Sequence, residues 1–454
     1  MSRSPSSSYR NLNSVLGGAL VCVVSLAPLP VASNRPVFWM MWTAVIGLIA
    51  LAYLIAGLMI ERNRKFRSAD HRPLWGLALL VPLMGLLQAL PLFDLPVLAS
   101  GLEATRSTLS IDPQRSLFGA LRIFGYLAFF VLCLEVLSQR KRAETLAWIV
   151  FVSVFVYALY GLTSLLLLGD MPFWGVKEQY QGAATGPFIN RNSFATFLGM
   201  GMCLGLGLVL DRNYRKRIRD PYGRHRNLIP DLSQLLVYIL LGLIGMSLLY
   251  TQSRLGLAAS LVGLAVCYLM FQIKRGAAMY RTALIVLGLG LLAALAALFI
   301  FEASVLDRLI FVERSSETRL ALYAKMISAT FDAPVFGYGL DAFEPAFQQI
   351  HDDSVQSGQR WNLGHSTYLT YWFEMGLFVG SVPVVVGLLV VRRLVQLIRS
   401  RSTQFVFPIV ALAALVVGGL HSTMDFSLEI AANVYLLLFL LALGLARRGE
   451  VTGG

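Results

Sequence analysis

Runs of about 18 or more apolar residues recur along this chain, each long enough to cross roughly 30 Å of hydrocarbon as a helix. No other feature constrains the fold as strongly, because within a bilayer a segment must satisfy its own backbone polar groups, and a helix does so. Twelve such runs are read, near residues 13–30, 37–60, 74–91, 117–137, 146–168, 193–210, 232–250, 255–272, 282–302, 367–391, 405–422 and 430–446. The composition agrees: 57% of residues are hydrophobic and 14% charged, against roughly a quarter charged in a soluble domain. The expected class is an all-α polytopic membrane protein, with residues 1–454 forming a single integral membrane domain of about 12 transmembrane helices.

Charge orients these spans. If the N-terminus is cytoplasmic, 26 of the 38 Lys and Arg fall on its side of the membrane, 11 lie in the opposite connections, and Arg122 sits inside a span. Lys and Arg resist translocation, so both termini are expected in the cytoplasm and the alternate connections outside. The net charge of +13 is then the orientation bias itself and requires no nucleic acid. The first run also reads as a signal peptide with Ala32 near the cleavage point, which leaves the orientation unchanged. Cys22, Cys133, Cys203 and Cys267 all lie within spans, without metal-ligand spacing, and read as small packing residues.

Polar residues gather in the outward connections, the longest of which is 303–366, between spans 9 and 10. Within it Leu320, Tyr323, Ala324, Ile327 and Phe331 recur every three or four residues after Ser315-Ser-Glu-Thr318, a helix-start pattern. An amphipathic helix ended by Pro334 is expected on the membrane surface or against the bundle, carrying Arg319 and Lys325. A turn at Gly337-Tyr-Gly-Leu-Asp341 and a second short helix, Asp341 to Ile350, follow. His351, Asp352 and Asp353 are adjacent and diverge, which argues against a metal site.

Two shorter connections stand out. Gly186-Pro-Phe-Ile-Asn-Arg-Asn-Ser-Phe-Ala195 leads into a span with Asn192 or Ser193 as candidate N-cap, so free backbone N–H groups and the helix dipole would point outward beside Arg191. Ordinary capping with an interfacial Arg explains the same residues. Tyr250-Thr-Gln-Ser-Arg-Leu-Gly256 is a tight hairpin with Arg254 at its tip, against the orientation bias, although snorkelling to lipid phosphate also accounts for it.

After the long loop, His365 stands at the entrance of the tenth span, where a plain interfacial anchor is the competing reading. Glu374 lies nine residues on, roughly 13 Å deeper, and must face the bundle interior or pair with a cation. Tyr368, Tyr371 and Trp372 read as an aromatic belt. His421 and Asp425, four apart, are expected to share a helix face and hydrogen-bond.

Gly186 to Ala195, Ser253-Arg254, Arg319 ahead of Pro334 and Gly337-Tyr-Gly-Leu, and His365 to Gly376 together resemble, in order and spacing, the landmarks of the bacterial O-antigen ligase and O-antigen polymerase-like family. The likeness covers roughly residues 180 to 445. One departure is visible: members commonly have Asn after the His, where this chain has Ser366.

The resemblance implies glycosyl transfer at the periplasmic face of the inner membrane, from an undecaprenyl-diphosphate-linked glycan to a hydroxyl of another glycan or of a lipid A core. A diphosphate leaving group at the lipid boundary needs guanidinium groups at headgroup depth, and Arg191, Arg254 and Arg319, with Asn192, are expected there. His365 suits the base that takes the acceptor proton, and Glu374 a supporting role that orients or balances buried cations. Direct displacement with inversion is the simplest mechanism. No cofactor and no metal is expected, since these loops hold no carboxylate pair at metal-ligand spacing; membrane lipids are the other partners.

The rival reading is a twelve-helix transporter of a lipid-linked or anionic substrate, suggested by the basic connection 211–231. Such transporters tend to show two similar halves and mid-membrane polarity. Here the halves differ and polarity gathers at one surface.

Overall fold

The computed structural model describes residues 7–60, 67–96, 105–219, 232–276, 305–351, 355 and 361–446. Its helices are α1 (Ser7–Leu26), α2 (Pro36–Ile60), α3 (Arg72–Ala78), α4 (Leu80–Ala89), α5 (Pro113–Val136), α6 (Arg140–Leu166), α7 (Arg191–Arg219), α8 (Leu232–Tyr250), α9 (Arg254–Lys274), α10 (Val305–Asp332), α11 (Phe343–Ile350), α12 (Thr367–Gly380), α13 (Val382–Ser400), α14 (Val406–His421) and α15 (Ala431–Leu445). A two-residue antiparallel pair, β1 (Leu95–Pro96) with β2 (Thr105–Arg106), tightens the connection into α5. Every predicted span except 282–302, which lies outside the described residues, coincides with a helix or helix pair.

By length and apolarity, 7 of these segments qualify as spans among the described residues, or 8 if α12 and α13 together form one. That pair is bent by 69°, so the predicted continuous span 367–391 is corrected to a broken one. Pro383, in the first turn of α13, cannot donate the hydrogen bond that would carry the helix through. Residues 11–26 of α1, together with α14 and α15, are apolar but shorter.

α7, α9, α14 and α15 pack together at the centre. Apolar burial gains little between lipid-immersed helices, so close backbone approach decides which elements go inside. α7 supplies that approach with Gly199, Gly201, Gly205 and Gly207. A Cβ at Gly201 would meet Val154 at 2.3 Å, and one at Gly207 would meet Val410 at 2.1 Å. Its most apolar stretch is accordingly 83% buried, whereas that of α2 is 17% buried and faces outward.

The described residues of the long connection hold α10 and α11, and α10 differs from the expected helix in start and in face. α10 begins at Val305, so Ser315-Ser-Glu-Thr318 lies inside the helix and does not cap it. The buried stripe is Leu322, Met326 and Ala329, packed on Tyr338, Phe343, Phe347, Trp361 and Phe373. Leu320, Ile327 and Phe331 of the predicted apolar face are exposed. Two stripes coexist on α10, and the more continuous one in sequence is the exposed one.

The loop is fastened to the bundle at its turn. Gly337 (φ 65°) and Gly339 (φ 119°) adopt backbone that favours glycine, and a Cβ at Gly337 would strike the Glu374 backbone at 2.4 Å. Gln88, fully buried in α4, donates to the carbonyls of Phe336 (2.6 Å) and Glu374 (2.8 Å) and accepts from the Leu340 N–H (2.9 Å). The residues on either side of this anchor are thereby fixed against α12, just ahead of which stands the candidate base His365.

Candidate active site

α7 enters the site through a sharp approach at Gly186, where a Cβ would meet the Phe194 ring at 2.6 Å. Asn190, not Asn192 or Ser193, caps the helix, its Oδ1 accepting from the Asn192 N–H at 2.7 Å. The shift follows from helix register, since Arg191 is the first helical residue and a cap side chain serves the N–H two or three residues on. The Asn192 side chain is thereby released to bridge elements. Its Nδ2 donates to Asp425 Oδ1 (3.2 Å), and its Oδ1 accepts from Ser253 Oγ (2.8 Å), the N-cap of α9. Arg191 lies with its guanidinium 5.4 Å from the centre of the Tyr180 ring. Arg254, the first residue of α9, is exposed beside Ser253.

His421 and Asp425 do meet, but not along a helix face, because α14 ends at His421 and the chain turns back. Ser427 Oγ joins them, donating to Asp425 Oδ2 and lying 3.0 Å from His421 Nδ1, which is 3.8 Å from the carboxylate. The Thr196 hydroxyl is 2.6 Å from the same nitrogen and donates to the Asn192 carbonyl. Both hydroxyl protons are therefore committed, which assigns the His421 proton to Nδ1. Asp425 is 1% exposed, and its carbonyl accepts from the Thr367 N–H, tying this turn to the start of α12.

His365 sits one residue before the N-cap of α12, at φ 52°. Its carbonyl accepts from the Tyr323 hydroxyl of α10 (2.7 Å), and its ring packs edge-on against Trp361 and Phe426. Burial holds the imidazole below its ordinary value, the Arg319 guanidinium pushes it the same way, and Asp425 opposes them. The balance favours the neutral ring, the form able to accept a proton. Arg319 and Asp425 are also within electrostatic reach of Tyr180, as is Arg191. Four of the anticipated residues, His365, Arg319, Arg191 and Asn192, thus converge through Tyr180 and Asp425, with Arg254 at the neighbouring helix tip.

Glu374 is placed elsewhere. Its Oε1 accepts from the Phe343 N–H at 3.2 Å, at the start of α11, and its charged neighbours are the carboxyls of Asp341 and Glu429. The cation of this second cluster is Arg122, which pairs with Asp341 and lies over the Trp39 ring at 5.0 Å. Glu374 faces the protein interior, as its position in an apolar helix requires, and binds the long loop to α12.

Asp425, Ser427, Tyr180 and Tyr323 were not singled out as site residues by the sequence. Only the His421–Asp425 pair left a trace, as two polar residues at the outer end of a span. Among the described residues, no group of three or more His, Cys, Asp or Glu is placed to hold a metal ion; Asp352 and Asp353 lie outside them. Chemically, the arrangement offers a neutral imidazole beside a buried carboxylate, with guanidinium groups next to both.

Residues 238–384 match a family model described as O-antigen ligase. The matched stretch includes Arg254, Arg319, His365 and Glu374, and over it the chain is similar to that family. No curated protein matches the chain.

Proposed function

We propose that this chain, whose residues 238–384 match the O-antigen ligase family, transfers a glycan from undecaprenyl diphosphate to an acceptor hydroxyl at the periplasmic face of the bacterial inner membrane. The observation that carries this reading is the seating of the His365 ring against Phe426, next in sequence to Asp425, with its carbonyl held by Tyr323, which lies four residues on from Arg319 in α10. The asymmetry of Lys and Arg along the sequence supports the orientation.

In this mechanism His365 takes the proton of the acceptor hydroxyl as its oxygen attacks the anomeric carbon. The bond from that carbon to the diphosphate breaks, and the leaving diphosphate gains charge. Arg191 and Arg319, with Arg254 from the tip of α9, stabilise that charge as it develops. Asp425 offsets the imidazolium formed on His365. A single displacement inverts the anomeric carbon. Glu374 acts indirectly, by holding the loop that carries Arg319 to the bundle.

His365→Ala should abolish transfer by the purified, membrane-embedded protein while leaving its amount in the membrane unchanged. Full transfer by that variant would remove the assigned base, and recovery of product with the donor's configuration would refute single displacement. Ligase and polymerase share this donor chemistry. Deletion in the native host separates them: loss of all capped lipopolysaccharide with accumulation of lipid-linked polymer marks a ligase, and single-repeat products mark a polymerase.

A further inference from the structure

The connection between α6 and α7 holds a conformational anomaly at a residue that already lies beside Arg191. Tyr180 is a bulky residue at φ 58°, in the left-handed region that such side chains rarely enter. A backbone of this kind persists only where its surroundings over-determine it, and such residues cluster at functional sites.

Here the surroundings do so on both sides. Asp170 accepts from Lys177 Nζ at 2.7 Å and from the Gly182 N–H at 2.7 Å, closing the segment around Tyr180. Lys177 is buried and also donates to the Ala183 carbonyl. The closed segment is then sewn to the hairpin between α8 and α9: Gln252 Nε2 donates to the Gly182 carbonyl and the Ala184 N–H to the Tyr250 carbonyl, each at 2.8 Å. This fastening sets the ring under the Arg191 guanidinium, 5.4 Å from its centroid, and the charges of Arg319 and Asp425 also act on Tyr180.

We propose that Tyr180 is a positioning residue for the donor: its ring, fixed in a strained turn, holds Arg191 beside Arg319 so that the two guanidinium groups meet one diphosphate. The proposal rests on the functional reading above. A planar aromatic face suits this task, because it attracts guanidinium without neutralising it, whereas a carboxylate would compete with the phosphate oxygens. The clamped loop is then the donor-side wall of the site, opposite the long loop that carries Arg319.

The test measures affinity of the full-length protein in lipid nanodiscs for a soluble prenyl diphosphate, farnesyl diphosphate. Tyr180→Gly removes the ring and relieves the backbone strain, which offsets part of the lost packing, and its thermal unfolding in the same nanodiscs should match that of the natural chain within a few degrees. It should bind about fivefold more weakly, the worth of one exposed to partly desolvated cation–π contact. Tyr180→Phe, which restores the ring, should recover most of that loss. Tyr180→Gly combined with Arg191→Ala should bind no more weakly than Arg191→Ala alone, a non-additivity that a purely structural role would not produce. Unchanged affinity in Tyr180→Gly, or losses that simply add, overturns the inference while leaving the functional reading intact. Natural protein that binds no prenyl diphosphate overturns the functional reading, and the inference with it.

Discussion

Replacing Asp425 separates the structural from the electrostatic work of one buried carboxylate. In Asp425→Ala, the Asn192 amide and the Ser427 hydroxyl lose their acceptor. Each orphaned donor costs about 1–3 kcal/mol, so the loss is about 2–6 kcal/mol of local stability. Asp425→Asn is different. The new amide oxygen still accepts from Asn192, and its NH2 faces Ser427, whose hydroxyl rotates to accept and passes its own proton toward His421 Nδ1. The His421 proton moves to Nε2, a buried atom without a partner among the described residues, so one donor is orphaned where Asp425→Ala orphans two, at a cost of about 1–3 kcal/mol.

The Asn variant therefore stays folded but lacks the negative charge. Asp425 is what opposes burial and Arg319 at His365, so its removal drives the imidazole further below its ordinary value of about 6.5. The acid limb of the pH–rate profile must move to lower pH. The rate at neutral pH should fall about 10²–10³-fold, the usual cost of removing one charge-stabilising group. Both effects are read from transfer rates of the purified variants between about pH 4.5 and 8, with thermal unfolding in detergent as the stability measure. An acid limb that moves upward, or an Asn variant as unstable as the Ala variant, refutes the reasoning.

Gly376 lies inside α12 at φ 72°, where a Cβ would meet the Val335 and Pro334 carbonyl oxygens at 2.5 and 2.6 Å. Gly376→Ala should therefore cost more than the about 1–3 kcal/mol of backbone strain alone, seen as a lower unfolding temperature and loss of loop protection from protease. Leu322→Ala should cost about 2–5 kcal/mol because Leu322 is fully buried, whereas Leu320→Ala, at an exposed position, should leave stability nearly unchanged. Equal losses in thermal unfolding would return the inner face of α10 to the stripe expected from sequence. Because His365 titrates lower folded than unfolded, stability should also decline as pH falls below about 6.5, the unfolded value, and His365→Gln should lessen that decline.

The sequence was most legible where one physical requirement dominated. Crossing hydrocarbon demands a long apolar helix, so span positions could be read from composition alone, and an outward Arg or His at a span end stood out because it is costly there. Arg191 and His365 drew notice as candidates for that reason, whereas Arg319 did so through the pattern of the long loop. The inner face of α10 was misread because two apolar stripes occupy one helix, and periodicity cannot say which one meets a partner. The cap of α7 shifted to Asn190 because three candidate capping residues lie within four positions, and only the approach of the chain through Gly186 chooses among them.

By itself, then, the sequence determined a helical membrane chain with its polarity gathered near one set of connections, since periodicity and the cost of burying charge are local properties. The tertiary structure decided which polar residues act together. It joined Asn192 to Asp425 across 233 positions, assigned Glu374 to the anchor of the long loop, and set Tyr180 beneath Arg191. Those pairings depend on close packing between helices far apart in the chain, made possible by the glycines of α7 and the break after α12, and no local pattern encodes them.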